Sequence, residues 1–440
     1  MIAPESIDAA LQRLARLHPK SIDLSLDRIE ALLDRLGRPQ GHLPPTIHLA
    51  GTNGKGSTAA FLRAIAEASG ERVHVYTSPH LVRFNERIRL AGEIVDDARL
   101  KAAFDRVETT NGDAPISFFE ATTAAAFLLF AETPADRLIL ETGLGGRLDA
   151  TNVLDAPQCT VITPVSLDHQ GFLGDTVEQI AGEKAGIIKP GAPLILAPQQ
   201  PGAREVIDRA AMRLGVPVIA WGEQFRAYRE RDRLTYEEEE LVWDLPAPAL
   251  PGSHQIVNAG IAIAAARACG YGHDAVREAM KTVSWPARLQ RLRTGTLAKL
   301  ASAKDAELWL DGGHNEAAGE ALASSLGQMA GAGDRPLVLI SAFSANKDAA
   351  GFLRYFTGLA ARVIAITFAG GREGSKTAQD LADAARSVDI PAQTSAGLVE
   401  ALHDALEDYD RPRIVICGSL YLAGEVLAMD DGARVQSTPG

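Results

Sequence analysis

Thr46-Ile47-His48-Leu49-Ala50 runs without a break into Gly51-Thr52-Asn53-Gly54-Lys55-Gly56-Ser57-Thr58, and the next residues, through Ser69, have helical period and stop at Gly70. An apolar strand, a glycine-rich loop and a helix in that order bring successive backbone N–H groups and a helix N-terminus around one point, which is an anion site. Lys55 adds a mobile positive charge suited to the β- and γ-phosphates of a nucleotide. The loop departs from the common P-loop pattern, because Leu49 stands six residues before Lys55 where glycine is usual and Gly56 separates Lys55 from Ser57. Its tightness points to a particular branch of phosphate-binding loops. A glycine turn capping a helix beside a solvated lysine is the plain structural alternative.

Outward from this loop the same alternation continues. Arg72 to Thr77, Arg137 to Glu141, Cys159 to Val165 and Pro193 to Ala197 read as strands, with a helical segment at Ala203 to Leu214 that stops at Gly215. Phe225 to Leu245 alternates polar and apolar residues and carries Glu237 to Glu240, which predicts an antiparallel edge hairpin with a solvated acidic face. Helical period returns at Gln255 to Cys269 and His273 to Val283, and Trp285-Pro286 then punctuates the chain. A second alternation follows, with strands at Glu307 to Leu310, Pro336 to Ile340, Arg362 to Thr367 and Arg413 to Cys417. Helices are expected between them at Glu316 to Met329, Ala378 to Val388 and Leu398 to Glu407. The expected fold is α/β: an N-terminal P-loop-type domain with a mostly parallel sheet, and a smaller C-terminal Rossmann-like α/β domain. The boundary falls within 287–297, dividing 1–290 from 291–440.

The 440 residues favour two domains over one core, and the composition, 46% apolar and 23% charged, is that of an ordinary globular chain. A net charge of -12 argues against a nucleic-acid or anionic-membrane partner. Cys159, Cys269 and Cys417 are odd in number, far apart in sequence and lack a C-x-x-C, so they read as small buried hydrophobes. The first twenty residues have no apolar core of the secretory kind, and Ala121 to Ala131 is too short to span a bilayer, so a cytoplasmic location is expected.

Further motifs follow in order: Ser21-Ile22-Asp23-Leu24, Thr77-Ser78-Pro79-His80-Leu81, Ser117-Phe118-Phe119-Glu120, Glu141 through Asn152, Leu167-Asp168-His169 and Glu183-Lys184-Ala185-Gly186-Ile187. Asn258, Arg288, Asp311-Gly312-Gly313-His314-Asn315 and Gly418-Ser419-Leu420-Tyr421-Leu422 complete them. With the loop Gly51 to Thr58, these resemble the folylpolyglutamate synthase and dihydrofolate synthase family of Mur-type amide ligases over nearly the whole chain. Gly313 and Glu316 depart from its Asp-x-Ala-His-Asn-Pro pattern, and Thr142 stands where an aliphatic residue is common.

Ser78 and Glu141 end neighbouring predicted strands, the edge where open α/β sheets hold ligands, and their oxygens are hard donors of the kind Mg²⁺ prefers. The resemblance implies that Ser78, Glu141 and His169 bind the metal, Mg²⁺, that Lys184 is carbamoylated, and that Lys55, Lys184 and His169 form the catalytic set. It implies that Gly51 to Thr58, Asn258, Arg288 and Asp311 bind ATP, with His314 behind them. Asp311 suits ribose hydroxyls, and a helix N-cap is its structural alternative. Ser21, Ile22, Asp23, Ser117, Phe118, Phe119, Glu120 and Leu148 match the family's pterin and pteroate pocket, although paired aromatics at a helix start also serve as core.

The activity so implied is ATP-dependent addition of L-glutamate to 7,8-dihydropteroate, to reduced folates, or to both, through an acyl phosphate, in a monomer. An enzyme with only one of these activities is an alternative. A cell-wall precursor ligase is disfavoured because Gly51 comes too early to leave room for a uridine-nucleotide-binding domain, and a nucleotide phosphotransferase because no arginine-rich lid is found.

Overall fold

The computed structural model describes residues 6–16, 24–330, 335–369, 374–431 and 435–436. Its first sheet contains β1 (Thr46–Ala50), β2 (Val73–Tyr76), β3 (Ile88–Leu90), β4 (Glu93–Ile94), β5 (Arg137–Glu141), β6 (Cys159–Ile162), β7 (Leu194–Leu196) and β8 (Val218–Ala220), in the order β4-β3-β2-β5-β1-β6-β7-β8. Pairing is parallel from β2 to β8 and antiparallel at β2–β3 and β3–β4. Every residue of β1 and β5 is buried, as a central parallel strand covered on both faces requires. Side chains alternate between the two covers: Ile47, Leu49 and Ile139 pack with the helices Lys55–Ala68 and Ser253–Ala268, while Leu138 and Leu140 pack with Phe118–Glu132.

The segment after β8 forms its own antiparallel sheet from β9 (Phe225–Glu230), β10 (Arg233–Glu238) and β11 (Leu241–Pro246). It is not an edge of the main sheet, because Phe225, Leu234, Tyr236 and Leu245 are buried against the helix Ser253–Ala268. The acidic run is only partly solvated. Glu237 accepts a hydrogen bond from the Tyr228 hydroxyl at 2.7 Å and pairs with Arg226, and Glu238 pairs with Arg267, leaving Glu239 and Glu240 to form the turn.

The chain enters the second sheet after the helix His273–Thr282. This sheet contains β12 (Gln290–Leu292), β13 (Glu307–Leu310), β14 (Leu337–Ser341), β15 (Ala360–Ala365), β16 (Ala392–Thr394) and β17 (Arg413–Cys417), ordered β12-β13-β17-β14-β15-β16. Only β12 runs antiparallel to its neighbour. Separate buried clusters cover its two faces. Among the described residues no helix is long and apolar enough to cross a membrane.

Candidate functional site

The carboxyl ends of β1, β2, β5 and β6 open onto one cavity of about 700 Å³, large enough for a nucleotide and a second substrate. The loop after β1 lines it from Gly51 to Ser57. Gly54 sits at φ 89°, and a β-carbon there would lie 2.4 Å from Asn258 Oδ1, so the turn and the approach of Asn258 both require glycine. Gly56, the insertion that breaks the common loop pattern, lies where a β-carbon would meet the Trp285 indole at 2.8 Å; it lets Trp285 seal the start of the helix. Thr58 is fully buried and does not reach the cavity wall, because helical rotation carries its hydroxyl into the core.

Lys55 Nζ donates to the Gly51 carbonyl at 3.1 Å and stands 4.0 Å from Glu141 Oε1. Glu141 is buried and also accepts from the Ser78 backbone N–H. Burial pushes its carboxyl up to about 7 in spite of Lys55. Lys184 is buried too, and its Nζ donates to the Gly51 carbonyl at 2.8 Å from beneath the loop. Burial, with Lys55 nearby, brings this lysine down to about 7. His169 projects at the cavity mouth from a left-handed backbone at φ 51°, with 41% of its side chain exposed. Among the described residues no group of three His, Cys, Asp or Glu side chains forms a self-contained metal cage. Ser78, Glu141 and His169 nonetheless line one cavity.

The second sheet supplies the opposite wall through Arg288, Asp311, His314 and Lys347. Asp311 is occupied on both oxygens, accepting from Leu289 N at 2.7 Å and Gly313 N at 2.7 Å, and so it fixes the linker that carries Arg288. It is not the helix N-cap. Asn315 has that part, accepting from Ala318 N at 3.0 Å. Both departures from the family motif are accommodated: a β-carbon at Gly313 would crowd Asp311 Oδ1 at 2.8 Å, and Glu316 opens its helix in a pair with Arg354.

Sequence reading gave no role to Asp168, His254, Asn315 or Lys347. Asp168 accepts from Asn315 Nδ2 at 3.1 Å and pairs with Lys347, and Asn315 and Asn53 exchange amide hydrogen bonds at 3.1 and 3.2 Å. Burial would raise the Asp168 carboxyl, but His169, His314 and Lys347 together hold it well below the usual carboxylate range. His254 lines the cavity with a buried Nδ1 that has no partner among the described residues. Its signal was available: His254 and Gln255 are polar residues at the start of an otherwise apolar helix. Gln255 reaches Ser57 Oγ at 3.3 Å and accepts from Asn258 Nδ2 at 3.0 Å, which ties Asn258 to the loop.

Toward the other end the cavity is walled by Phe119, Leu148, Ser117 and Glu120. Phe118 does not line it. One residue earlier on the helix it points about 100° away, into the core, and meets Phe84 edge-on at 6.0 Å between centroids. Ser117 and Glu120 form a capping box, Ser117 Oγ accepting from Glu120 N at 3.2 Å and Glu120 Oε2 from Ser117 N at 2.7 Å. Their first duty is to start the helix that presents Phe119. Ser21, Ile22 and Asp23 lie outside the described residues.

Known families match both halves of the chain. Residues 49–266 match the Mur ligase middle domain and residues 296–429 match the dihydrofolate synthetase C-terminal domain. The dihydrofolate synthase/folylpolyglutamate synthase of Escherichia coli K12 is 32% identical over 96% of this chain and 95% of its own. The structure of E. coli FolC in complex with DHPP and ADP superposes with a TM-score of 0.86 at 30% identity, covering 98% of this chain and 99% of that one. A bifunctional folylpolyglutamate synthase/dihydrofolate synthase with Mn, AMPPNP and L-glutamate bound gives 0.84 at 30% identity, covering 97% and 98%. With likeness of this extent in both sequence and fold, the chain belongs to the dihydrofolate synthase/folylpolyglutamate synthase family.

Proposed function

We propose that this chain uses ATP to join L-glutamate to 7,8-dihydropteroate and to reduced folates through an acyl phosphate. The observation that carries the reading is one continuous cavity with a phosphate loop and Lys55 at its centre, an aromatic wall at Phe119 on one side and a second domain closing it on the other. Residues 1–290 serve as the ATP-binding unit with the acceptor pocket, and 291–440 as the glutamate-ligase unit.

A carboxylate has no leaving group suited to amide formation, so the acceptor's carboxylate must first attack the γ-phosphate of ATP. Lys55 and the loop amides gather the charge that spreads over the transferring phosphoryl group, and Arg288 reaches it from the linker. The neutral amine of glutamate then attacks the acyl carbon and phosphate departs. Asp168, held by Asn315 and Lys347, keeps the second domain down over the cavity and water out.

The residues fit a divalent cation. Glu141 is a buried carboxylate with Lys55 only at 4.0 Å, beside Ser78, and Mg²⁺ typically takes one or two carboxylates and completes its shell with phosphate and water. Ser78, Glu141 and His169 would hold Mg²⁺. When bound, it neutralises charge on the β- and γ-phosphates. Lys184, drawn toward neutrality by burial, has the free amine that carbon dioxide needs to form a carbamate. ADP release measured with ATP and Mg²⁺ should require both acceptor and glutamate. Equal release without them removes the ligase assignment, and a comparison of 7,8-dihydropteroate with tetrahydrofolate as acceptor decides between one activity and two.

A further inference from the structure

Cys159 and Cys269 are 110 residues apart in the chain, yet their sulfurs lie 3.8 Å from each other. Cys159 opens β6 and is buried, and Cys269 follows the last turn of the helix Ser253–Ala268 and is half-buried. Cys417 is buried in the other sheet, 3.4 Å from Ser341 Oγ. We propose that Cys159 and Cys269 form an oxidisable dithiol, a modification site at which a peroxide closes an intramolecular disulfide between the central sheet and this helix.

Three features support the pairing. The sulfurs are in contact, so closure to the bond length of about 2.05 Å needs an approach of under 2 Å. Cys159 is fixed in a sheet, but Cys269 stands at a helix end followed by Gly270 at φ 91°, where the backbone can yield. The Arg137 guanidinium, held by Glu71 at 3.0 Å and by the Tyr271 hydroxyl at 2.8 Å, gives the pair a cationic neighbour. With the contact to Cys159 it favours the Cys269 thiolate.

Cys269, the more accessible sulfur, attacks one peroxide oxygen. The O–O bond breaks, and Cys269 sulfenic acid and water result. The Cys159 sulfur then displaces the hydroxyl, which leaves as a second water with the Cys159 proton. Two thiols lose two electrons, and the peroxide gains them.

The bond would sit at the far ends of two elements whose near ends build the phosphate loop. Beyond β6, Thr163 packs on Gly51, and the helix begins with Gln255 and Asn258 against Ser57 and Gly54. Oxidation should therefore leave turnover within about two-fold while raising the unfolding temperature, since it closes a long loop of the unfolded chain.

The test treats the full chain with hydrogen peroxide and then reads intact mass, non-reducing peptide maps and thermal unfolding. A loss of two mass units, a peptide joining Cys159 to Cys269, a free Cys417 and a higher unfolding temperature reversed by dithiothreitol are expected. Cys269→Ser should abolish the cross-link, and Cys417→Ala should not. Sulfinic acid at Cys269 without a cross-link, a disulfide between two chains, or full retention of both thiols would overturn the proposal.

Discussion

Asn315 Nδ2 donates to Asp168 Oδ2 at 3.1 Å across the cavity, while the same side chain caps its own helix through Oδ1 and bonds Asn53 of the phosphate loop. One amide thus ties the second domain to two loops of the first. Asp168 also neutralises Lys347, whose side chain is 14% exposed. Asp168→Ala leaves that ammonium unpaired at a buried interface, a loss of about 3 kcal/mol. Spent on domain closure, this lowers kcat/KM for ATP on the order of 100-fold. Small-angle scattering should show a larger radius of gyration with unchanged circular dichroism. An unchanged rate and radius would refute the latch.

Glu141 stands 4.0 Å from Lys55 and Lys184 shares the Gly51 carbonyl with it, and both are shifted to about 7. The Glu141 carboxyl is raised from 4.5 to about 7, so its contribution to stability is full below pH 4.5 and is lost as pH rises through 7. Lys184 is lowered from 10.5 to about 7, so its contribution is full above pH 10.5 and is lost as pH falls through 7. Together they predict a trough in unfolding temperature around pH 7 for protein treated with EDTA in carbon-dioxide-free buffer. Mg²⁺ with ATP should fill the acid-derived part, and bicarbonate the lysine-derived part, with a gain of 44 mass units on Lys184. Glu141→Gln and Lys184→Met should each flatten one limb. A profile unaffected by either variant rules this coupling out.

Phe118 and Phe119 are neighbours with different work. Phe119→Ala should raise the acceptor's KM on the order of 10-fold and lower the unfolding temperature less than Phe118→Ala does, because its ring is only partly buried, on Gly143 at the cavity wall. Phe118→Ala removes a buried core ring that meets Phe84 edge-on, at a cost of about 3–5 kcal/mol, and should leave that KM alone. Steady-state kinetics beside thermal unfolding separates the two, and the reverse pattern would show the rings wrongly assigned.

The same pair shows where sequence reading stopped. A strand, a glycine loop and a helix are local patterns, so β1, the phosphate loop and the helix Lys55–Ala68 were legible, as were the buried central strands. Strands of two or three residues at the edges, such as β4 and β16, carry too little periodicity to be seen. Which of two adjacent rings faces a cavity depends on the phase of the helix against its neighbours, and no motif states that. The helix N-cap, the structural alternative for Asp311, falls to Asn315 for a related reason: either side chain can cap a helix, and only the position of Leu289 decides that the aspartate is already engaged. The contact of Cys159 with Cys269 is purely tertiary.

Gln436 offers the last test, because its bonds determine where a proton sits. Its carbonyl accepts from His80 Nε2 at 2.8 Å, so that nitrogen carries hydrogen; Arg87 Nε, which can only donate, meets His80 Nδ1 at 3.0 Å, so that nitrogen is bare. Gln436 is anchored in turn by Phe84 N to its Oε1 at 2.8 Å and by its own N to the Val82 carbonyl at 2.8 Å. Burial, with Arg87 alongside, holds the His80 imidazole down at about 3, so this tautomer persists through neutral pH. Arg87 lies over Phe84 at 4.9 Å and lines the same cavity as Ser117 and Phe119, so under the proposed function its guanidinium would meet the anionic acceptor. His80→Phe keeps a ring but removes the Nδ1 that accepts from Arg87 Nε. It should raise the acceptor's KM about 5- to 10-fold, with kcat little changed and no new pH dependence between 6 and 9. Gln436→Pro, which removes the N–H and the side-chain amide, should do the same to a lesser degree. If both variants leave the acceptor's KM unchanged while Arg87→Ala raises it, His80 and Gln436 have no part in placing the guanidinium.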